Sequence, residues 1–296
     1  YDFAKPERFA SFFRAQLPLA ALPKYTYVSG EILEAEVRIA NYGKTDMTGP
    51  VGYCMEGGKV RKCGELPAVI CPAGGITSAG KIEISLEDID EAVRLDLTVE
   101  QDGVKNQYPV WIYPAAKPVC PDKVYETKTL DEKAVQILEN GGSVYLAPDS
   151  EKEHLPSSIQ AQFTSDFWSV GTFAAQEGGM GQLIDEKHPI FKNFPTEFHT
   201  NWQWWPMASQ RAVIFPHLVK AIVTEMDSYA YMRPMAQLAE FRCGGGKLLF
   251  SSMGLQNLQQ YPESRALLHA IYQYMDSEAF APEEEISVEE MSELVK

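Results

Sequence analysis

The chain contains no apolar run long enough to span a bilayer, and it has no surplus of positive charge. Its 26 lysines and arginines face 41 aspartates and glutamates, a formal net charge of -15. Such a chain repels phosphate backbones and anionic headgroups, so neither nucleic acid nor a membrane is expected as a partner. The five histidines, His154, His188, His199, His217 and His269, form no helix-spaced pair, and the five cysteines form no Cys-x-x-Cys, so no metal and no cofactor is expected. Cys54 and Cys63 flank Glu56-Gly57-Gly58-Lys59, and a two-residue Gly57-Gly58 turn sets Cys54 opposite Arg61. A bridge to Cys63 would then need a change of register, which favours reduced thiols and the cytoplasm over an exported setting.

Catalytic signatures are lacking too. No Gly-x-Ser-x-Gly or Gly-x-Cys-x-Gly elbow occurs, and Cys243 precedes an apolar run instead of following one, which suits packing. Gly178-Gly179-Met180-Gly181 lacks both the Lys-Ser/Thr of a phosphate loop and the spacing of a dinucleotide site, and reads as a turn. Retaining glycosidases need two carboxyl groups about 5 Å apart, and no acidic pair here has a distinctive spacing. No catalytic residue is therefore assigned.

What is present divides the chain. Tyr1-Asp2-Phe3-Ala4-Lys5 carries neither a Met nor a signal pattern, so further sequence is expected upstream. Residues 1–23 read as a linker segment whose Phe9, Phe12, Phe13 and Leu17 suit packing on an upstream domain. From 24 to 114 the apolar period is two, as in Ala35, Val37 and Ile39 or Leu95, Leu97 and Val99, with turns at Asn41-Tyr42-Gly43, Gly74-Gly75 and Asp102-Gly103. This pattern predicts an immunoglobulin-like β-sandwich.

Beyond the proline-bearing stretch 114–118 the pattern changes. Asp131–Asn140 reads as a helix stopped by Gly141-Gly142 and followed by the strand Val144–Ala147. Glu240–Cys243, Gly244–Gly246 and Lys247–Ser252 repeat that phrase, and a helix over about 263–275 covers the result. The expectation for 119–280 is an α/β domain with a mainly parallel, flavodoxin-like sheet. Residues 281–296 read as a solvated acidic tail, in which Ile286, Met291, Leu294 and Val295 could form one helical face.

The residue pattern richest in chemistry is His199-Thr200-Asn201-Trp202-Gln203-Trp204-Trp205, which holds three of the five tryptophans. A pyranose presents C–H faces to aromatic rings and hydroxyls to amides and imidazoles, so His199, Asn201, Trp202, Gln203, Trp204 and Trp205 form a candidate saccharide surface, with Asp227 and Arg233 as polar neighbours. Core packing is the competing reading, because tryptophan is mostly buried in folded chains.

Three phrases carry a family resemblance: Ala20-Ala21-Leu22-Pro23-Lys24, then Ala35-Glu36-Val37-Arg38-Ile39-Ala40-Asn41-Tyr42-Gly43, and the stretch from His188-Pro189-Ile190-Phe191 through Phe198-His199 to Trp205. With them the chain resembles the C-terminal part of bacterial glycoside hydrolase family 2 proteins of the β-galactosidase-like kind. That resemblance implies a parent protein that hydrolyses O-glycosyl bonds on an upstream catalytic barrel, with this segment as an accessory, noncatalytic appendage. It also implies that 119–280 is class I glutamine-amidotransferase-like. The implied partners are the upstream barrel, a saccharide and a second copy of the chain in a homo-oligomer. A rival reading is a stand-alone α/β hydrolase or amidotransferase-like enzyme, for which Ser251, Ser252 and His269 are the residues to inspect. A third is a scaffold whose Trp block builds an oligomer interface.

Overall fold

The computed structural model describes residues 5–115, 117–163, 173 and 177–296; Tyr1–Ala4 of the N-terminal segment and Ala116 of the linker lie outside this set. The described chain falls into two compact units, divided between Ala115 and Ala116. No helix among the described residues is long and apolar enough to cross a membrane.

The first unit opens with a short helix, α1 (Pro6–Ala10), whose neighbours Phe9, Phe12 and Phe13 cluster ring to ring and stay exposed. Eight strands follow: β1 (Gln16–Ala21), β2 (Thr26–Val28), β3 (Ile32–Asn41), β4 (Met47–Gly57), β5 (Val60–Cys71), β6 (Gly75–Ser85), β7 (Val93–Gln101) and β8 (Val104–Tyr113). They form a three-stranded sheet ordered β1-β3-β6 and a five-stranded sheet ordered β2-β8-β7-β4-β5. The period-two segments bury one face each: Leu33, Ala35, Val37 and Ile39 of β3 and Leu95, Leu97 and Val99 of β7 share one core, while the alternate acidic residues face solvent. In the larger sheet β2 pairs in parallel with β8, so strand directions are mixed.

The β4–β5 hairpin corrects the expected cysteine chemistry. Gly57 pairs with Val60, so the loop residues are Gly58 and Lys59, and Cys54 stands directly opposite Cys63. Their Cα atoms are 4.0 Å apart and the thiols are joined in a disulfide. Gly57 pairs as a strand residue, and it is glycine because a Cβ there would lie 2.6 Å from the Arg94 carbonyl oxygen of β7. Gly58 supplies the positive φ of +56° that the turn requires. Both glycines are needed, for different reasons, and reading them as the turn pair shifts the register by one.

The second unit contains β9 (Val124–Thr127), α2 (Glu132–Glu139), β10 (Ser143–Leu146), β11 (Ser158–Gln160), β12 (Gln182–Ile184), α3 (Trp205–Ala208), β13 (Arg211–Ile214), β14 (Val223–Glu225), β15 (Met235–Cys243), β16 (Gly246–Ser251), α4 (Pro262–Asp276) and α5 (Val288–Leu294). One sheet runs β11-β13-β15-β16-β10-β9, with the β12–β14 pair attached to β15 through β14. Asp131 caps α2 by accepting the Ala134 N–H at 2.7 Å, and Gly141, at φ +81°, follows the helix end.

The fold expected from sequence, an immunoglobulin-like sandwich followed by a mainly parallel flavodoxin- or amidotransferase-like α/β layer, is overturned. The described residues are 39% strand and 18% helix, two of the three sheets are mixed, and no parallel α/β core forms among them. Among the described strands of the second unit, β9–β10 and β10–β16 pair in parallel and the other pairs are antiparallel. The misreading has a local cause. Glu240–Cys243 is not a helix but the end of β15, and Gly244-Gly245, at φ +60° and +103°, turns directly into β16 with Cys243 opposite Gly246. A short apolar run before a glycine pair fits a helix stop or a hairpin equally well in sequence; pairing along 238–243 makes it a hairpin.

Residues 281–296 do not form a solvated tail. Ser287 and Glu290 build a capping box at the start of α5, and Ile286, Met291, Leu294 and Val295 enter the core of the second unit beside Phe241 and Leu248. Burial of four such side chains stabilises the docked segment by about 1.5–3 kcal/mol each.

The disulfide sets a direct test. Denatured, unreduced protein prepared under oxidising conditions is expected to titrate three thiols, those of Cys71, Cys120 and Cys243, and five after reduction. Cys54→Ser should lower stability by about 2–3 kcal/mol under those conditions; five accessible thiols before reduction would contradict the pairing.

Candidate functional site

The Trp block is built on a tight turn, and the turn sorts its indoles. Asn201 has extended backbone and accepts the Trp202 N–H on its side-chain oxygen at 2.8 Å, capping a 3-10 turn over Trp202–Trp204 that runs on into α3. Side chains three apart share a face in this geometry. Trp202 and Trp205 therefore point outward, with 42% and 54% of their surface exposed, while Trp204 and Met207 point inward and are fully buried.

The inner face is anchored firmly. Trp204 donates its Nε1–H to Thr196 Oγ1 at 2.9 Å and meets Phe191 and Phe194 edge to face, with ring centroids 6.1 and 5.4 Å away. Buried Gln203 donates to the Pro195 carbonyl at 2.8 Å, and Asn201 donates to Glu197 at 2.9 Å. His199 Nδ1 lies 3.0 Å from the Thr200 carbonyl. A carbonyl only accepts, so that contact is made by an Nδ1–H donor.

On the outer face Phe163, just beyond β11, stacks on Trp202 at 5.5 Å with 26° between the planes, and it tilts against Trp205 at 5.1 Å. The two exposed indoles are 6.1 Å apart. Three aromatic rings thus form one surface, and Phe163 is a member that the sequence did not announce.

Asp227 and Arg233 belong to a different constellation. They bond to each other across the β14–β15 loop and not to the 199–205 block. The buried Asp227 carboxylate accepts four N–H groups: the Ser228 backbone at 2.7 Å, the Arg233 backbone at 2.7 Å, Arg233 Nε at 2.7 Å and Arg233 Nη2 at 3.0 Å. Burial alone would raise its pKa; the Arg233 side chain and the backbone donors bring it below the ordinary carboxylate value.

Beneath α3 lies a buried polar group missed in sequence. The Ala208 carbonyl accepts from Gln182 Nε2 at 3.2 Å and from Gln237 Nε2 at 3.2 Å. Gln182 also donates to Glu225 Oε2, while Glu225 Oε1 has no partner among the described residues. Gly179 passes so close that a Cβ would fall 1.8 Å from Glu225 Oε1, which explains a glycine at that point of the loop. Burial pushes the Glu225 carboxyl up to about 8, helped by the Asp227 charge and opposed by Gln182. The one sequence signal was a glutamine and a glutamate inside otherwise apolar strands.

The constellation suggested for a stand-alone hydrolase is not assembled. Ser251 and Ser252 are buried, Ser252 Oγ donates to the Arg211 carbonyl at 2.7 Å, and no hydrogen bond among the described residues joins His269 to either serine. No group of three or more metal-ligating side chains occurs among the described residues.

Two outcomes follow from these contacts. Trp204→Ala should cost about 3–5 kcal/mol of stability, read by chemical denaturation, because it removes a buried indole and orphans Thr196. For Glu225 the native state holds a proton that the unfolded chain releases near pH 4.5, so its contribution to stability declines as pH rises from there to about 8. Glu225→Gln should therefore gain on wild type by a few kcal/mol across that window. Parallel pH–stability curves would refute a buried proton at Glu225.

Comparison with solved structures returns small overlaps. An alkylpurine DNA glycosylase from Pseudomonas fluorescens, bound to DNA containing an abasic site analogue, matches at 14% identity and a TM-score of 0.29, over 33% of this chain and 30% of that one. A β-glucosidase from Listeria innocua in complex with glucose matches at 13% identity and a TM-score of 0.27, over 35% and 17%. A Paenibacillus cycloisomaltooligosaccharide glucanotransferase matches at 10% identity and a TM-score of 0.27, over 41% and 17%. The chain spans less than a third of the length of each, and overlaps of this size assign neither fold nor activity. No curated protein matches the chain. Residues 31–114 match the family described as domain of unknown function DUF8488. Residues 125–296, more than half of the chain, match the domain of unknown function DUF8487, and the chain belongs to that family.

Proposed function

We propose that this chain is an accessory, noncatalytic segment of a carbohydrate-active glycoside hydrolase, and that Trp202 and Trp205 are its contact with saccharide. The observation that carries the reading is the division of labour within the Trp block. A buried Trp204 holds the turn, and two neighbouring indoles stay exposed on a rigid base. Exposure of two large aromatic rings forgoes the few kcal/mol that burial would supply, and a rigid exposed platform is the form in which aromatic side chains meet a pyranose face. His199, Asn201 and Glu197 supply hydrogen-bonding groups beside it. The family 2 resemblance of the 188–205 stretch supports a hydrolase parent, with chemistry on an upstream barrel.

We further propose an oxidising, exported setting in place of the cytoplasm. The Cys54–Cys63 bridge supports this, since a cross-strand disulfide persists where thiols are not kept reduced.

The test compares wild type with Trp202→Ala and Trp205→Ala for binding to a panel of neutral oligosaccharides by titration calorimetry. Each variant should fold with stability close to wild type and lose at least about tenfold in affinity, equivalent to about 1.4 kcal/mol. Unchanged affinity in both variants, or a concentration-dependent dimer that both variants abolish in the absence of sugar binding, would replace the saccharide reading with an assembly surface.

A further inference from the structure

A cavity of about 360 Å³ opens between the start of β11 and the β14–β15 loop. Ile159 and Ile214 line it together with Lys152, Glu177, Tyr231 and Arg233. That is the size of a small-ligand site, and its lining is mainly polar, as suits a hydrophilic ligand.

The β14–β15 loop is rigid where it faces this cavity. Asp227 ties both ends of the turn through its four accepted hydrogen bonds, and Met232 is held at φ +52°, a left-handed conformation rare for a side-chain-bearing residue. On that frame Tyr229, Tyr231 and Met232 are held out in solvent, all three more than half exposed. Ordered loops that hold large apolar side chains away from the core are typical of binding surfaces.

The charge of the cavity runs against that of the chain. Its charged lining is Lys152, Arg233 and Glu177, two positive groups against one negative, in a protein of net charge -15, with buried Arg211 paired to Glu177 and buried Asp227 paired to Arg233 behind them. Both acids are occupied. Asp227 is saturated, and Glu177 accepts from Gln160 N at 3.1 Å and Arg211 Nη2 at 3.2 Å. Burial works against ionisation of Glu177, and the Gln160 N–H, Lys152 and Arg211 outweigh it, so its pKa is lowered. The cations are less fully used. Arg233 engages Asp227 through Nε and Nη2, which leaves Nη1 without a partner among the described residues, and Lys152 donates to the Ser158 carbonyl at 2.9 Å with further donors to spare. The Arg233 guanidinium lies over the Tyr231 ring, 4.8 Å from its centre, and the ring remains more than half exposed.

A hydrogen-bond relay joins the frame of this cavity to that of the aromatic platform. Gln160 links them: its backbone N–H goes to Glu177, its side-chain amide to the Ser209 carbonyl, and Ser209 Oγ to the Trp205 carbonyl at 3.2 Å. From Ile159 in the cavity to Phe163 on the platform is four residues of chain, a reach of at most about 14 Å.

We propose that this cavity is a second sugar subsite, selective for a carboxylate-bearing (uronic) residue, with the ring on Tyr231 and the carboxylate on Arg233 Nη1 and Lys152. The proposal rests on the saccharide reading of the platform but uses different residues, so the two can fail separately. Arg233 makes two bonds from a planar fork, a geometry suited to a second carboxylate on its remaining edge.

The experiment is ligand-observed NMR and titration of the full chain with D-glucuronate and D-galacturonate against D-glucose and D-galactose, at low and high salt. Uronates should bind at least about tenfold more tightly than the neutral sugars, and the margin should shrink as salt screens it. Lys152→Met and Tyr231→Ala, both exposed positions away from the core, should each remove most of that margin, whereas Trp205→Ala should leave it intact. Neutral sugars binding as tightly as uronates, uronate binding unchanged in both cavity variants, or no uronate binding at all would overturn the subsite. Uronate binding abolished by Trp205→Ala would also overturn it, while leaving the platform standing. Uronate binding that persists when no neutral oligosaccharide engages the indoles would sustain the subsite and refute the platform.

Discussion

The Ala208 carbonyl oxygen is the point on which the second unit's exposed features depend. It closes α3, and in the buried interior it accepts from the side-chain amides of both Gln182 on β12 and Gln237 on β15. A buried carbonyl left without a donor is costly, and two amides converging on one acceptor fix its position tightly. Through that oxygen the turn bearing Trp202, Trp204 and Trp205 is tied to the sheet. Gln182 in turn reaches Glu225, whose burial keeps its carboxyl protonated at neutral pH and avoids an isolated buried charge.

Rigidity below and exposure above are two halves of one arrangement. Trp204, Gln203 and Asn201 spend their hydrogen bonds on Thr196, Pro195 and Glu197, so the turn has no freedom to swing the outer indoles inward. Phe163 covers part of Trp202 from the neighbouring strand end, which shapes the aromatic surface without burying it. The β14–β15 loop repeats the design with charge in place of packing: a saturated Asp227 holds Arg233, and Arg233 lies against Tyr231. Both devices are local, yet both rest on β15 and its neighbours.

Glycine positions illustrate how much of this was hidden in sequence. Gly57-Gly58 and Gly244-Gly245 look alike as dipeptides. In the first, Gly57 is required by the approach of Arg94's carbonyl and Gly58 by the turn; in the second, both residues occupy the turn. The difference moved a cysteine into register with its partner in one hairpin and converted an expected helix into a strand in the other. Gly179, read as part of a simple turn, is the residue that lets backbone pass over Glu225.

Sequence alone determined the period-two strands of the first unit, the helix from Asp131 to its glycine stop, the long helix near 263–275 and the concentration of aromatic and amide groups at 199–205. Each is written in a repeat, a cap or a composition short enough to act locally. Tertiary structure decided the rest. Whether Glu240–Cys243 was helix or strand depended on pairing with β16, and whether Ile286, Met291, Leu294 and Val295 were tail or core depended on a groove built by distant strands. Which indoles faced solvent depended on the phase of one 3-10 turn against Phe191 and Phe194, and Asp227 with Arg233 was drawn to a different surface from the tryptophans by the path of the β14–β15 loop. The physical reason is the same in every case: non-local partners choose among local conformations whose intrinsic free energies differ by no more than about 1 kcal/mol per residue.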